Sequence, residues 1–196
     1  LHIKTRDRLD DRLWSIIERQ VECALKAWRE PDRGIWEVRG EPKHFTLSKV
    51  MCWLAAERGA GLATLREEEE LVKRWQDAAD EIKADVLEHG VDDRGVFVQH
   101  YDTKALDGSL LLLPLFGFLP PDDPRIRATV AAIADELTVD GMVQRYLVEA
   151  TDDGVGGAEG AFTTCSFWLV SAYVQIGELA KACGEAWVHT EAGRAS

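Results

Sequence analysis

The chain has 196 residues, 46% of them hydrophobic, and a formal net charge of −12. That length suits one domain or part of a larger one, with apolar residues enough for a real core. The acidic balance disfavours nucleic acid and anionic membranes, which require a basic surface, and no apolar run approaches the roughly 20 residues needed to span a bilayer.

Cys23, Cys52, Cys165 and Cys183 form no C-x-x-C pair and fall within apolar helical pattern. They read as small buried hydrophobes in a reducing, cytoplasmic compartment. Neither they nor the five histidines have metal-ligand spacing, so no metal and no cofactor are expected. The opening Leu1-His2-Ile3-Lys4-Thr5-Arg6 carries neither an initiator Met nor a secretory pattern, as in a chain processed or cut from something longer.

The dominant period is helical. Leu13, Ile16, Ile17, Val21, Ala24, Leu25 and Trp28 recur at i, i+3, i+4, i+7 spacing and predict a first helix. Leu47, Val50, Met51, Leu54 and Ala55 predict a second, ending near Gly59. A third is expected to open at a capping box, Thr64-x-x-Glu67, and to run through Leu71, Trp75, Ala78, Ile82 and Val86 to Gly90. A short fourth starts around Asp107, which reads as an N-cap ahead of a sugar ligand, and continues through Leu110 to Leu115. Asp123 as cap and Pro124 at the first helical position open a fifth, ending near Leu137. The sixth runs from about Phe162 to Ala182, closed by Gly184. No strand of normal length is predicted; Val96-Phe97-Val98 suits a local ribbon, and Trp53, Trp75 and Trp168 suit the core.

A loose repeat organises these helices. Asp32-Arg33-Gly34-Ile35-Trp36, Asp93-Arg94-Gly95-Val96-Phe97 and Asp140-Gly141-Met142-Val143 follow helices one, three and five. Each time an acidic-glycine turn leads into an apolar extended stretch, a polar loop and the next helix. The fold class expected is all-α, an α/α toroid with paired helices in two rings and long loops gathered at one end. Gly59-Ala60-Gly61 and Leu119-Pro120-Pro121-Asp122 would be the short turns at the other end.

Two of the loops carry glutamates that fold requirements do not explain. Glu37 follows Trp36, and Glu159 lies in Gly156-Gly157-Ala158-Glu159-Gly160. Two carboxylates from distant loops are the minimum equipment for hydrolysing a glycosidic bond, one as protonated acid and the other ionised. An indole beside Glu37 would disfavour its charged form, and glycines around Glu159 would leave room for a water. The plainer alternatives are an ion pair of Glu37 with Arg33 or Arg39, and a first-turn carboxylate at Glu159 matched to a helix dipole.

Longer stretches carry a resemblance: Gly34-Ile35-Trp36-Glu37-Val38-Arg39-Gly40 with His44-Phe45-Thr46-Leu47-Ser48-Lys49, Leu106-Asp107-Gly108-Ser109-Leu110, Gln144-Arg145-Tyr146, and Glu159-Gly160-Ala161-Phe162 with Cys165-Ser166-Phe167-Trp168-Leu169. In this order they resemble glycoside hydrolase family 15, on its bacterial trehalase and glucoamylase-like side. The resemblance implies an (α/α)6 toroid that cleaves an α-linked glucoside with inversion. It implies Glu37 as general acid, Glu159 as general base and Arg145 as the arginine gripping the sugar, where the residues alone leave an ion pair of Arg145 with Glu149 open. Trp36 and His44 are further candidates to line the pocket; for His44, loop-to-helix packing is the alternative.

A complete toroid has six helix pairs, and this chain supplies about three as a single partial domain over residues 1–196, similar to the C-terminal half of the family's catalytic domain. The arginine-aspartate segment and aromatics that hold the nonreducing sugar have no match here. An open half-ring leaves apolar helix faces uncovered, so a homo-oligomer or the missing N-terminal half is the expected partner. The rival to a hydrolase is an inactive helical module that keeps the fold for assembly or weak sugar binding.

Overall fold

The computed structural model describes residues 9–147 and 162–184. Helix α1 spans Asp11–Ala27, α2 Thr46–Arg66 and α3 Glu69–His89. A 3-10 turn at Gly108–Leu112 runs into the single-turn α4, Leu113–Phe116. Helix α5 spans Pro124–Glu136, β1 (Thr138–Val139) and β2 (Met142–Val143) form a minimal hairpin, and α6 spans Thr163–Gln175. Backbone at 179–184 is again helical.

Two kinds of helix alternate along the chain. Helices α1, α3 and α5 are amphipathic and bury one stripe each: Trp14 and Val21, then Trp75, Ala79, Ile82 and Val86, then Ile126, Val130 and Ile133. Helices α2 and α6 are apolar on several faces and show almost no such polarity. A one-sided helix belongs on the outside of a layer and an all-round apolar helix inside it. The order is therefore outer and inner by turns, as in half of a double ring. Helix α2 lies against both α1 and α3, and α6 lies against α5, α4 and the 3-10 turn.

The main core joins residues from every layer, with Trp53, Ile82, Phe97, Leu111, Phe118, Ile133 and Leu169 among its buried members. Each fully buried Leu, Ile or Phe contributes about 1.5–3 kcal/mol. The rings of Trp53 and Phe118 meet edge to face at 4.9 Å. A second cluster, built on Trp14, Val21, Ala60, Ala63 and Trp75, fastens α1 to the far half of α2 and to α3.

Three expectations for helix ends are corrected. Helix α2 does not stop at Gly59 but continues through Gly59-Ala60-Gly61 to Arg66. Gly59 serves close packing: a Cβ there would lie 2.8 Å from Val21 Cγ2 and 3.0 Å from Trp75 Cε3. Thr64 opens no capping box. It sits in the last turn of α2, and its hydroxyl donates to the Ala60 carbonyl at 3.0 Å. The turn falls instead at Glu67, whose left-handed φ of 62° ends α2. Helix α6 ends at Gln175 because Gly177, at φ 80°, turns the chain before the stretch at 179–184.

The acidic-glycine repeats close three tight turns at one end of the helices. Gly34, Gly95 and Gly141 all have left-handed φ, at 66°, 75° and 76°. Asp32 accepts from the Gly34 N–H at 2.6 Å, and Asp92 from Arg94 N and Val96 N at 2.9 and 3.1 Å. Asp140 joins Gly141 at positive φ, the two-residue turn that suits the right-handed twist of a hairpin. The loops are laced together. Thr46 N donates to Gln99 O at 3.0 Å, Tyr101 N to His44 O at 3.0 Å, and Gly108 N to Arg145 O at 2.7 Å. Bridges also pair Asp32 with Lys43, Phe45 with His100 and Val91 with Phe97. The opposite end carries short connections, including the expected Leu119-Pro120-Pro121-Asp122 turn before α5. No described helix is long and apolar enough to cross a membrane.

Candidate active site

The loop between α1 and α2 holds Trp36 and Glu37. Asp32 and Lys43 exchange backbone hydrogen bonds at 2.8 Å each, closing the loop at its base. Within it Val38 N donates to Arg33 O at 3.0 Å and Glu37 N to Gly34 O at 3.2 Å. The Arg33 guanidinium donates to the carbonyls of Val38 and Gly40, and among the described residues no ion pair involves Glu37. Glu37 itself is exposed and adopts φ 50°. A left-handed conformation costs a non-glycine residue about 1–2 kcal/mol. Such strained positions persist where surroundings over-determine them, and they cluster at functional sites.

The surroundings are explicit. The Trp36 indole N–H is shared between the two oxygens of Asp107, at 2.9 and 3.0 Å. Asp107, 2% exposed, also accepts from Ser109 N at 2.8 Å and Gln99 Nε2 at 3.2 Å. Burial pushes its pKa upward, while the bonds from Ser109, Trp36 and Gln99 oppose the shift by favouring the carboxylate.

Arg145 joins this cluster from the loop after β2. Its guanidinium lies 5.5 Å from the Trp36 ring, 5.6 Å from Tyr146 and 5.9 Å from Phe162. Trp36 meets Phe162 edge to face at 5.4 Å and Trp168 at 6.1 Å. Ring faces on several sides fix the direction in which the guanidinium points. Cys165 packs behind, with its thiol pKa pushed up to about 12 by burial first and by the Asp107 charge second, and lowered by Arg145.

Trp36 and Arg145 thus converge from two loops, with Glu37 next to Trp36 in the chain. Glu159 lies outside the described residues. His44 lines a different recess, a cavity of about 690 Å³ between α1 and the C-terminal part of α3. There it stacks on Tyr101 with centroids 5.7 Å apart. Tyr101 donates to Asp85 at 2.6 Å, which with burial raises its pKa, burial having the larger effect. Lys49 forms the floor and donates to the Trp28 and Glu30 carbonyls; burial lowers its pKa. No described group of three or more His, Cys, Asp or Glu could hold a metal ion.

The sequence reads Asp107 as an N-cap ahead of a sugar ligand and assigns no site role to Gln99, Phe162 or Trp168. The available signal was Asp107-Gly108, an acidic residue before a glycine in the second loop. A Cβ on Gly108 would lie 2.8 Å from Gln144 O, so that glycine admits the Arg145 loop.

A family model described as "Glycosyl hydrolases family 15" matches residues 2–192. The chain belongs to glycosyl hydrolase family 15. It is 64% identical over 182 residues to a trehalase of Mycobacterium tuberculosis, covering 93% of this chain and 27% of that protein. A trehalase of Mycolicibacterium smegmatis is 63% identical with the same coverage. An isomaltose glucohydrolase of Kribbella flavida is 35% identical over 158 residues, covering 79% of this chain and 39% of that one. The chain thus spans about a quarter of the length of the trehalases it matches. A solved wild-type glycosidase superposes with a TM-score of 0.67 at 27% identity, over 81% of this chain and 41% of that one. A glycosidase variant in complex with glucose gives 0.66 at 26% identity, with the same coverage. The fold is accordingly the family's (α/α)6 toroid with about half of the ring in this chain.

Proposed function

We propose that this chain forms the acid- and base-bearing part of an inverting α-glucosidase, with trehalose as its first candidate substrate. The observation that carries the reading is Glu37, exposed at left-handed φ and next in the chain to Trp36, whose ring Arg145 covers, in a family 15 chain. Glu37 would protonate the leaving glycosidic oxygen. Glu159 would take a proton from water attacking the anomeric carbon from the opposite face, with the two carboxyl groups about 6.5–9.5 Å apart. Arg145 would hold sugar hydroxyls, and Trp36 would form an apolar wall. His44, in its separate recess, would contribute from the periphery. The trehalase relatives favour trehalose, and the isomaltose glucohydrolase makes isomaltose the competing substrate.

The reading includes a covering for the inner helices. Met51 on α2 and Phe167 and Val174 on α6 are 45%, 58% and 50% exposed. The remaining helices of a complete ring would cover them, and a second copy is the other candidate. The free cysteines fit a reducing, cytoplasmic setting.

The test assays Glu37→Gln and Glu159→Gln on trehalose, maltose and isomaltose in the longest protein containing this chain. Loss of turnover in both, with inversion of the anomeric product in the parent, is expected. Parent-like turnover in both variants would sink the assignment, and an inactive parent would favour the non-catalytic module.

A further inference from the structure

We infer that Asp107 is a positioning residue that sets the Glu37 loop and Arg145 relative to one another. The inference rests on the catalytic reading of Glu37 and deepens it.

Residues from all three loops meet at Asp107-Gly108. Trp36 comes from the first and bonds both carboxylate oxygens. Gln99 comes from the second and bonds Oδ2 at 3.2 Å. Arg145 comes from the third, and its carbonyl accepts from Gly108 N at 2.7 Å. Displacing this one dipeptide would move the indole beside Glu37, and the backbone beneath the guanidinium would move with it.

Helix capping alone does not account for Asp107. The cap bond uses one oxygen, from Ser109 N to Oδ1 at 2.8 Å, and Ser or Asn caps as well as Asp. What a cap leaves unexplained is a carboxylate 2% exposed whose second oxygen also takes donors. Trp36 and Gln99 present N–H groups, and only a side chain that accepts at both oxygens satisfies them together with Ser109. An Asn of the same shape would turn an NH2 donor toward the indole or the glutamine, leaving a buried donor unmatched.

Among the described residues of its loop, Trp36 is the one whose side chain reaches this carboxylate. Its neighbour Glu37 holds a backbone conformation that needs support. The indole anchor supplies that support from 71 residues away. Asp107 therefore acts on the reaction through Trp36, without touching the substrate.

The test uses Trp36→Phe, Asp107→Asn and the double variant in the longest protein containing this chain, with Glu37→Gln as reference. Each single change is expected to lower kcat about tenfold to a hundredfold, as a small misplacement of a reacting group does. The double variant should be no slower than the slower single, because both remove one link. The indole N–H resonance of Trp36, assigned by its loss in Trp36→Phe, should shift in Asp107→Asn. Losses that multiply in the double variant would overturn the inference. So would parent-like kcat in Asp107→Asn while Glu37→Gln is inactive. If Asp107→Asn fails to fold, parent-like kcat in Trp36→Phe overturns it equally. Parent-like turnover of Glu37→Gln would instead sink the catalytic reading; an unmoved indole resonance would then sink the anchor as well, and a shifted one would retain it.

Discussion

The Trp36 indole N–H rests between both carboxylate oxygens of Asp107, at 2.9 and 3.0 Å, across 71 residues of chain. The loop that carries Glu37 is joined here to the second loop by one buried acceptor. The Arg145 guanidinium lies over the same indole at 5.5 Å. The arrangement makes the candidate site a product of loop-to-loop fastening more than of any single helix.

Two glycines in α2 should respond in opposite directions to the same change. A Cβ at Gly59 would press on Val21 and Trp75 at 2.8 and 3.0 Å, where α1, α2 and α3 meet. Gly59→Ala is expected to cost about 1–3 kcal/mol through overpacking. Nothing lies within 4 Å of a Cβ at Gly61. Gly61→Ala should therefore stabilise by about 0.5–1 kcal/mol through helix propensity. Urea unfolding reads both values, and shifts of equal sign would refute this packing account.

Asp123 links stability to acid. It caps α5 by accepting from Arg125 N at 2.9 Å, and pairs with the Arg125 guanidinium at 2.8 Å. Asp123→Ala should cost about 0.5–2 kcal/mol at neutral pH. The bond from Arg125, the largest influence, holds the Asp123 pKa below its ordinary 3.8. As pH falls, the unfolded chain therefore takes up this proton before the folded one does. The stabilisation is present above 3.8 and is lost as pH falls through the folded value. The stability gap between parent and Asp123→Ala should accordingly shrink on acidification below that point. A gap that widens there would contradict the sign.

The cysteines should separate by reactivity. Against the expectation of four buried thiols, Cys23 and Cys183 are exposed and Cys52 is half-buried; only Cys165 is fully buried, its thiol pushed up to about 12. Only thiolate attacks a disulfide reagent. At neutral pH, Cys23 and Cys183 are expected to react quickly and Cys165 only after unfolding. Rapid labelling of Cys165 in the folded protein, located by peptide mass, would place it elsewhere than behind the Arg145 cluster.

Much of this molecule was legible in its sequence because the signals are local. Apolar spacing located the helices, Asp123-Pro124 marked the start of α5, and the three acidic-glycine turns marked the loop end. The motif around Trp36, Glu37 and Arg145 pointed to the family that the comparisons establish. Each of these depends on residues a few positions apart. The misread positions have the opposite character. Gly59 looks like a helix stop unless Val21 and Trp75 are known to press against it, and Thr64 looks like a cap unless α2 is known to run on to Arg66. Asp107 likewise reads as a cap, which it is, while its bond to Trp36 depends on how three helix pairs bring their loops together. Local spacing can encode a helix or a turn within a few residues, whereas a contact across 71 residues exists only once the whole half-ring has packed.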